Sequence, residues 1–212
     1  MPRIIKPVSK GDIAVPTIQV DSSGRIFSAS AGSAGGGGYA PTHFITSGSG
    51  NITTTGNTSK VLVYLQGPGG GGGGVALNNP GKAGGTGGIG GYSLSVHEVS
   101  SSQTIAYNMG TGGNEGNSAN PANNGNAGNT ANFASPAIIT ANSGNGGEGS
   151  KHAGAENRAG NPGNAGTASV NSGTQTLTNY SPASFYGIDT SDNGGASSAT
   201  GGTGRMYVWE DV

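Results

Sequence analysis

Apolar and polar positions along this chain fall into short patterned stretches separated by long glycine-rich intervals. Lys60-Val61-Leu62-Val63-Tyr64-Leu65-Gln66 is apolar on both faces, which predicts a central strand buried on both sides. Tyr92-Ser93-Leu94-Ser95-Val96-His97 and Thr104-Ile105-Ala106-Tyr107-Asn108-Met109 alternate strictly, the period of a strand with one face covered. The serine-rich stretch 98–103 between them predicts a hairpin connection. Further strands are predicted at 137–140, 174–178 and 205–209. Near the beginning, Ile18, Val20 and Ile26-Phe27 flank Asp21-Ser22-Ser23-Gly24, a turn between two short strands. No stretch has a 3.6-residue period, and each glycine in a helix costs ~1 kcal/mol relative to alanine, so no helix longer than a turn or two is expected.

Composition complicates this picture. Of 212 residues 45 are glycine and 10 proline, and Leu, Ile, Val and Phe make up only about 15%, too little for an ordinary apolar core. Charged residues are just 9%, with a net charge of −1, so the charge repulsion that keeps many such chains unfolded is missing as well. Near-neutrality argues against a nucleic-acid footprint. The absence of Cys excludes disulfides and thiolate metal sites. No run approaches the ~18 apolar residues of a membrane span, and Met1 to Pro7 lacks the apolar stretch of a leader peptide. Residues 1–30 carry Arg3, Lys6, Lys10, Arg25, Asp12 and Asp21, whereas 31–147 hold only Lys60, Lys82, Glu98 and Glu115. The shift, near Gly32 to Gly38, predicts an attachment arm over 1–32 and a glycine-rich body over 33–212.

The glycines carry a register. Gly81, Gly84, Gly87 and Gly90 recur at every third residue. Gly110, Gly113, Gly116, Ala119, Ala122, Gly125, Gly128 and Ala131 hold small residues in one phase from 110 to 131. Gly160, Gly163 and Gly166 form another run, Gly195, Ser198, Gly201 and Gly204 a fourth, and Gly144, Gly147, Ser150 and Ala153 a looser fifth. A polyproline II-type helix has three residues per turn, rises ~3.1 Å per residue and makes no internal hydrogen bonds. Without Cβ atoms on one edge, such helices can approach until their backbones pair with one another. The expected fold is therefore mainly β with polyglycine II helices, left-handed with three residues per turn. Short strands join a packed glycine-rich slab, with essentially no α-helix. Collagen is disfavoured because the triplets are short, interrupted and poor in proline.

The order of these pieces resembles a known family. "SKVLVYLQGPGGGGGG" followed by "GGTGGIGGYSLSVHEVSSSQTIAYNMGTGGNEG" is similar to the glycine-rich domain that closes many bacteriophage tail-fibre proteins. There a strand ends in a polyglycine block and a GGxGG segment leads into a β-hairpin, with more triplets behind it. The close, Gly201-Gly202-Thr203-Gly204-Arg205-Met206-Tyr207-Val208-Trp209, resembles that family's glycine-then-strand ending. The resemblance spans roughly residues 43 to 210 and extends to distal adhesins of the T-even type. In these, packed polyglycine II helices carry variable segments that bind outer-membrane receptors. It implies a virion protein assembled in the host cytoplasm and joined to other fibre or tail proteins through residues 1–32. It also implies binding to a host surface protein or saccharide, and either a homotrimer or a monomer on a trimeric shaft.

Candidate contact residues are Tyr180, Phe185, Tyr186 and Asp189, in the longest aromatic connection, and Lys151, His152 and Arg158, in a charged cluster with Glu148 and Glu156. Aromatic rings bury area at low rotamer cost, which suits recognition. The plainer readings are that Phe185 and Ile188 cap the slab and that the charged cluster is a solvated loop. The amides of Asn114 to Asn132 could meet sugar hydroxyls, though such amides more often satisfy backbone groups in turns. Gly81-Lys82 fails the phosphate-loop pattern because alanine stands at 76 and 83. No Asp follows a GxG as calcium-binding repeats require. His43, His97 and His152 are isolated, and neither paired carboxylates nor a nucleophile elbow occurs. No enzyme, cofactor or metal is expected. Three readings remain: a receptor-binding fibre adhesin, a purely structural shaft, tail or head decoration, and an ice-binding or matrix protein. The last fits poorly with irregular strands and aromatic loops.

Overall fold

Where side chains alternate the backbone pleats into strands, and where glycine takes over it leaves the sheets and packs on its own kind. The computed structural model describes residues 17–20, 26–30, 41–78, 81–134, 139–153, 156–170, 175–176 and 194–210. The chain separates into two compact units. In the first, β1 (Thr17–Val20) and β2 (Ile26–Ser30) pair antiparallel; the turn expected at Asp21 to Gly24 lies outside the described residues. The second unit, Pro41–Ser184 with Ile188–Val212, holds all the other strands. These are β3 (His43–Ile45), β4 (Gly48–Thr53), β5 (Lys60–Gln66), β6 (Tyr92–Glu98), β7 (Thr104–Met109), β8 (Ala131–Phe133), β9 (Ile139–Ala141), β10 (Lys151–Ala153), β11 (Glu156–Arg158), β12 (Ala168–Val170), β13 (Gln175–Thr176) and β14 (Arg205–Glu210). The described residues include no helix, and the protein is mainly β.

Two antiparallel five-stranded sheets face each other, in the orders β13-β6-β5-β14-β3 and β12-β9-β8-β7-β4. Between them lie Val61, Val63, Leu65, Met206 and Val208 from one sheet and Ile52, Ile105, Met109, Phe133 and Ile139 from the other. As its pattern predicts, β5 is central and buried on both faces: Leu62 and Tyr64, on the side away from this core, are also buried.

Two expectations are corrected. The alternating strands β6 and β7 do not form a hairpin; β6 pairs with β5 and β7 with β4 and β8, so 99–103 crosses from one sheet to the other. The alternation of β6 is also inverted. Its register puts Ser93, Ser95 and His97 opposite Leu65, Val63 and Val61, hence toward the core, while Tyr92, Leu94 and Val96 face outward. Pairing with β5 decides this, because a slip of one residue would turn every β6 side chain over.

Many of these strands run without a break into or out of glycine segments, among them β5 into 67–74, 84–91 into β6, β7 into 110–117, 122–130 into β8, and 199–204 into β14. Segment 142–150 connects β9 to β10, and 160–167 precedes β12. The segment 67–74 is the axis. Its amides at Gly67, Gly70 and Gly73 donate to Gly91, Gly88 and Gly85; those at Gly71 and Gly74 donate to Asn126 and Asn123; those at Gly69 and Gly72 donate to Gly202 and Ala199. Its carbonyls at Pro68, Gly71 and Gly74 accept from Gly144, Gly147 and Ser150; those at Gly69 and Gly72 accept from Gly113 and Gly116; those at Gly70 and Gly73 accept from Gly195 and Ser198. Every partner series advances by three residues, so each turn holds three residues that address different neighbours. Three neighbours run antiparallel to the axis and three parallel.

The six neighbours also bond to one another in a closed ring. Gly85 donates to Glu148, Gly125 to Gly147, Asn126 to Asn114, Gly201 to Gly113, Ala199 to Ala196 and Gly87 to Gly195. The eighth segment, 160–167, lies outside the ring, bonded to 83–89 and 142–148. Six runs, paired at three-residue steps, thus surround an axial one rather than forming the slab expected. Segment 110–131 is likewise two antiparallel runs, not one, and the run through Gly195 and Gly204 reverses at Ser198, which takes a φ of 54°. Gly81 is exposed in a turn and belongs to no run.

Glycine is required here by space. A Cβ built at Gly70, Gly71 or Gly72 would come within 3.0 Å of the carbonyl oxygens of Asn145, Asn114 and Ala196, three different neighbours. In 84–91, Gly84, Gly87 and Gly90 face the axis and Gly85, Gly88 and Gly91 face 161–167, while Thr86 and Ile89 occupy the free side. The peripheral 160–167 needs glycine only at Gly160, Gly163 and Gly166. We expect Gly71→Ala to cost about 3 kcal/mol or more, because backbone atoms cannot move aside as a side chain can. Thr86→Ala should cost no more than about 0.5 kcal/mol. Denaturant unfolding of both variants checks the contrast, and equal effects would contradict the packing argument.

Candidate functional site

Because consecutive runs alternate in direction, the connections between them collect at two ends. At the end away from the sandwich lie residues 75–78 and 81–83, the turn 118–121, the β10–β11 hairpin and the reversal near Ser198. Ser150 ties this tip together. It is fully buried, its hydroxyl accepts from the Ala76 amide at 2.7 Å, its amide donates to Gly74 and its carbonyl accepts from Ala122. The Leu77 amide donates to Ala119, yet its side chain is 67% exposed, the most exposed large apolar group among the described residues. Lys82, Asn120 and Pro121 are exposed beside it in the same connections.

The charged cluster is a structural fastener. Both oxygens of Glu148 take the Arg158 guanidinium, at 2.6 and 2.9 Å; Lys151 Nζ stands 3.4 Å away, and the Asn161 side-chain amide donates at 2.8 Å. The Arg158 hydrogen bond is the main cause that holds the Glu148 carboxyl below its ordinary 4.5, at about 2; burial opposes it. Lys151 and Arg158 therefore spend their charge within the chain, holding the hairpin to the end of one glycine run, at Glu148, which in turn bonds to the start of the next, at Asn161. The segment expected as a solvated loop is an ordered hairpin, with Lys151 opposite Arg158 and His152 opposite Asn157. Tyr180, Phe185, Tyr186 and Asp189 lie outside the described residues.

At the opposite end the body's chain enters and leaves side by side. His43 Nε2 lies 3.1 Å from Glu210 Oε1, while Glu210 Oε2 accepts from the Thr55 amide at 2.8 Å and the Thr58 hydroxyl at 2.6 Å. Burial pushes the Glu210 carboxyl up, but donation by Thr58, Thr55 and His43 outweighs it and brings it to about 2. Neither this latch nor Ser150 was legible in the sequence, since each depends on residues brought together from distant positions.

Within the sandwich Ser95 Oγ lies 2.8 Å from His97 Nε2, and the ring packs against Phe133 at a centroid distance of 5.8 Å. Burial lowers the His97 pKa to about 4, so the folded protein holds it neutral. As pH falls below 6.5 the unfolded chain takes this proton first, and stability declines down to about 4. With both groups buried, this Ser–His pair is packing rather than an exposed nucleophile. Among the described residues no group of three or more His, Cys, Asp or Glu could hold a metal ion, and no helix is long and apolar enough to cross a membrane.

Glu210 is ionised in the folded state down to about pH 2, so its contribution is complete above 4.5 and is lost as pH falls through 2. In acid titrations of unfolding free energy, Glu210→Gln should be less stable at neutral pH and show a shallower loss across that window. Arg158→Ala should change global stability by only about 1 kcal/mol or less, as expected for a solvent-accessible pair. It should nevertheless speed amide exchange in the β10–β11 hairpin at least tenfold. Unchanged hairpin exchange would mean that Glu148 does not fasten it.

No protein-family model matches the chain, and no curated protein matches it either.

Proposed function

We propose that this chain is a receptor-binding adhesin of a bacteriophage tail fibre, with the tip connections as its contact surface. The observation that carries the reading is the polarity of the body. Entry at Thr42–His43 and exit at Glu210 lie together at the sandwich end, while the glycine runs hold four connections at the other. A binding surface needs loops that can vary in sequence on a framework that cannot move. Glycine runs paired on every side supply that framework, and Ser150 cross-links the connections themselves. The resemblance to glycine-rich fibre domains supports the same reading, with attachment to other virion proteins through residues 1–32. Leu77 and Lys82 join His152 as candidate contacts; Lys151 and Arg158 become supports. Tyr180, Phe185, Tyr186 and Asp189 stay candidates on sequence grounds alone.

The competing reading, a structural decoration without receptor contact, predicts that tip chemistry is irrelevant. Purified protein should bind host cells and block phage adsorption. The double variant Leu77→Asp, Lys82→Glu should lose at least tenfold in cell binding while its unfolding midpoint stays within a few degrees, since both side chains are exposed. Cell binding by the folded double variant equal to that of the parent would sink the tip assignment. Absence of cell binding by the parent, with normal incorporation into particles, would favour the decoration.

A further inference from the structure

The runs 110–117 and 122–130 lie antiparallel on the ring, and their outward edge carries a polar ladder. Thr111 stands opposite Asn129, Asn114 opposite Asn126 and Asn117 opposite Asn123, each pair joined by a backbone bond of 2.9 to 3.1 Å. All six residues are exposed. One rung is locked, with the Asn129 amide donating to the Thr111 hydroxyl at 3.0 Å. The pattern recurs between 142–150 and 160–167, where Asn142 donates to Thr167 at 3.2 Å and Asn145 stands opposite Asn164. There the last rung, Glu148 with Asn161, is taken up by the Arg158 fastener. Asn117 and Asn123 flank the turn 118–121, but Asn114, Asn126 and Asn129 stand within extended runs, where turn chemistry does not account for exposed amides.

We propose that this flank, distinct from the tip, binds a linear neutral polysaccharide along the helix axis. A primary amide offers two donors and an acceptor from one planar group, which matches neighbouring sugar hydroxyls that both give and take hydrogen bonds. Residues of the same phase repeat at about 9 Å, three residues at ~3.1 Å each. That is the scale on which an extended glycan presents the same edge again. The ladder carries no charge, so it offers nothing to phosphate or to acidic sugars, and no apolar side chain to a protein partner. The backbone beneath is fixed by bonds on several sides, so little ordering entropy opposes binding. Each rung contributes weakly, and the repeat makes the contacts multivalent. The proposal holds whether or not the tip connections bind a receptor.

The test uses the full chain in affinity electrophoresis through gels containing dextran, soluble mannan, xylan or, as an acidic control, polygalacturonate. At least one neutral polymer should retard the protein, with retardation insensitive to salt. The double variant Asn123→Ala, Asn126→Ala should weaken it at least tenfold without moving the unfolding midpoint, because both positions already carry an outward Cβ. Leu77→Asp at the tip should leave it unchanged. The inference is overturned if no neutral polymer retards the chain, if the ladder variant is retarded like the parent, or if Leu77→Asp abolishes the effect. Slowing of ice growth that the ladder variant loses, without glycan retention, would overturn it in favour of frozen water.

Discussion

Backbone pressed against backbone, close enough for amide and carbonyl to pair between neighbouring chains, is the constraint from which the rest of this body follows. At that distance no Cβ fits, and the demand is spatial rather than conformational: Gly48 is the only described glycine with positive φ. Each inter-run hydrogen bond contributes about 1 kcal/mol net. Glycine has no side-chain entropy to lose, though ordering its backbone costs more than for any other residue. Cohesion therefore arises only when many runs pair at once. The segment 67–74 cannot be ordered except inside its ring, and the ring cannot close without it.

The sandwich supplies what glycine lacks. Phe133, Leu65, Ile139, Met206 and their neighbours form an ordinary apolar core between two sheets, and β5, β6, β7, β8 and β14 continue straight into glycine runs or out of them. Sheet pairing thus sets the register from which the three-residue steps propagate. It also sets direction, since antiparallel strands deliver consecutive runs in opposite senses. Segregation of chain ends from tip connections, on which the functional reading rests, is a consequence of that alternation.

Polar groups divide along the same lines. Where a carboxylate is enclosed it is saturated with donors, as Glu210 is by His43, Thr55 and Thr58 and Glu148 by Arg158, Lys151 and Asn161. These charges fasten ends and hairpins. Exposed asparagines and threonines instead line the outer phase of the runs 110–117 and 122–130, uncharged and paired across the two runs by backbone bonds.

Much of this was written in the chain. The period of two in 92–97 and 104–109 marked strands because side chains of a pleated backbone alternate whatever the tertiary setting, and the unbroken apolar run 60–66 marked a strand covered on both faces. The period of three marked runs with an uncovered side, because a phase that faces a neighbour tolerates only glycine. The unbroken Gly69 to Gly74 is the extreme case, a run covered on every side, and its lack of any period is the mark of the axis. Three matters were decided only on assembly. The sheet to which β7 belongs, the face that β6 turns to the core and the reversal within 110–131 depend on which distant segments become neighbours. The buried histidine and serine face the core because pairing with β5, not local polarity, set their side of the sheet. Local sequence limits how close a segment's neighbours can come; which segments they are is settled by the joint closure of ring and sandwich.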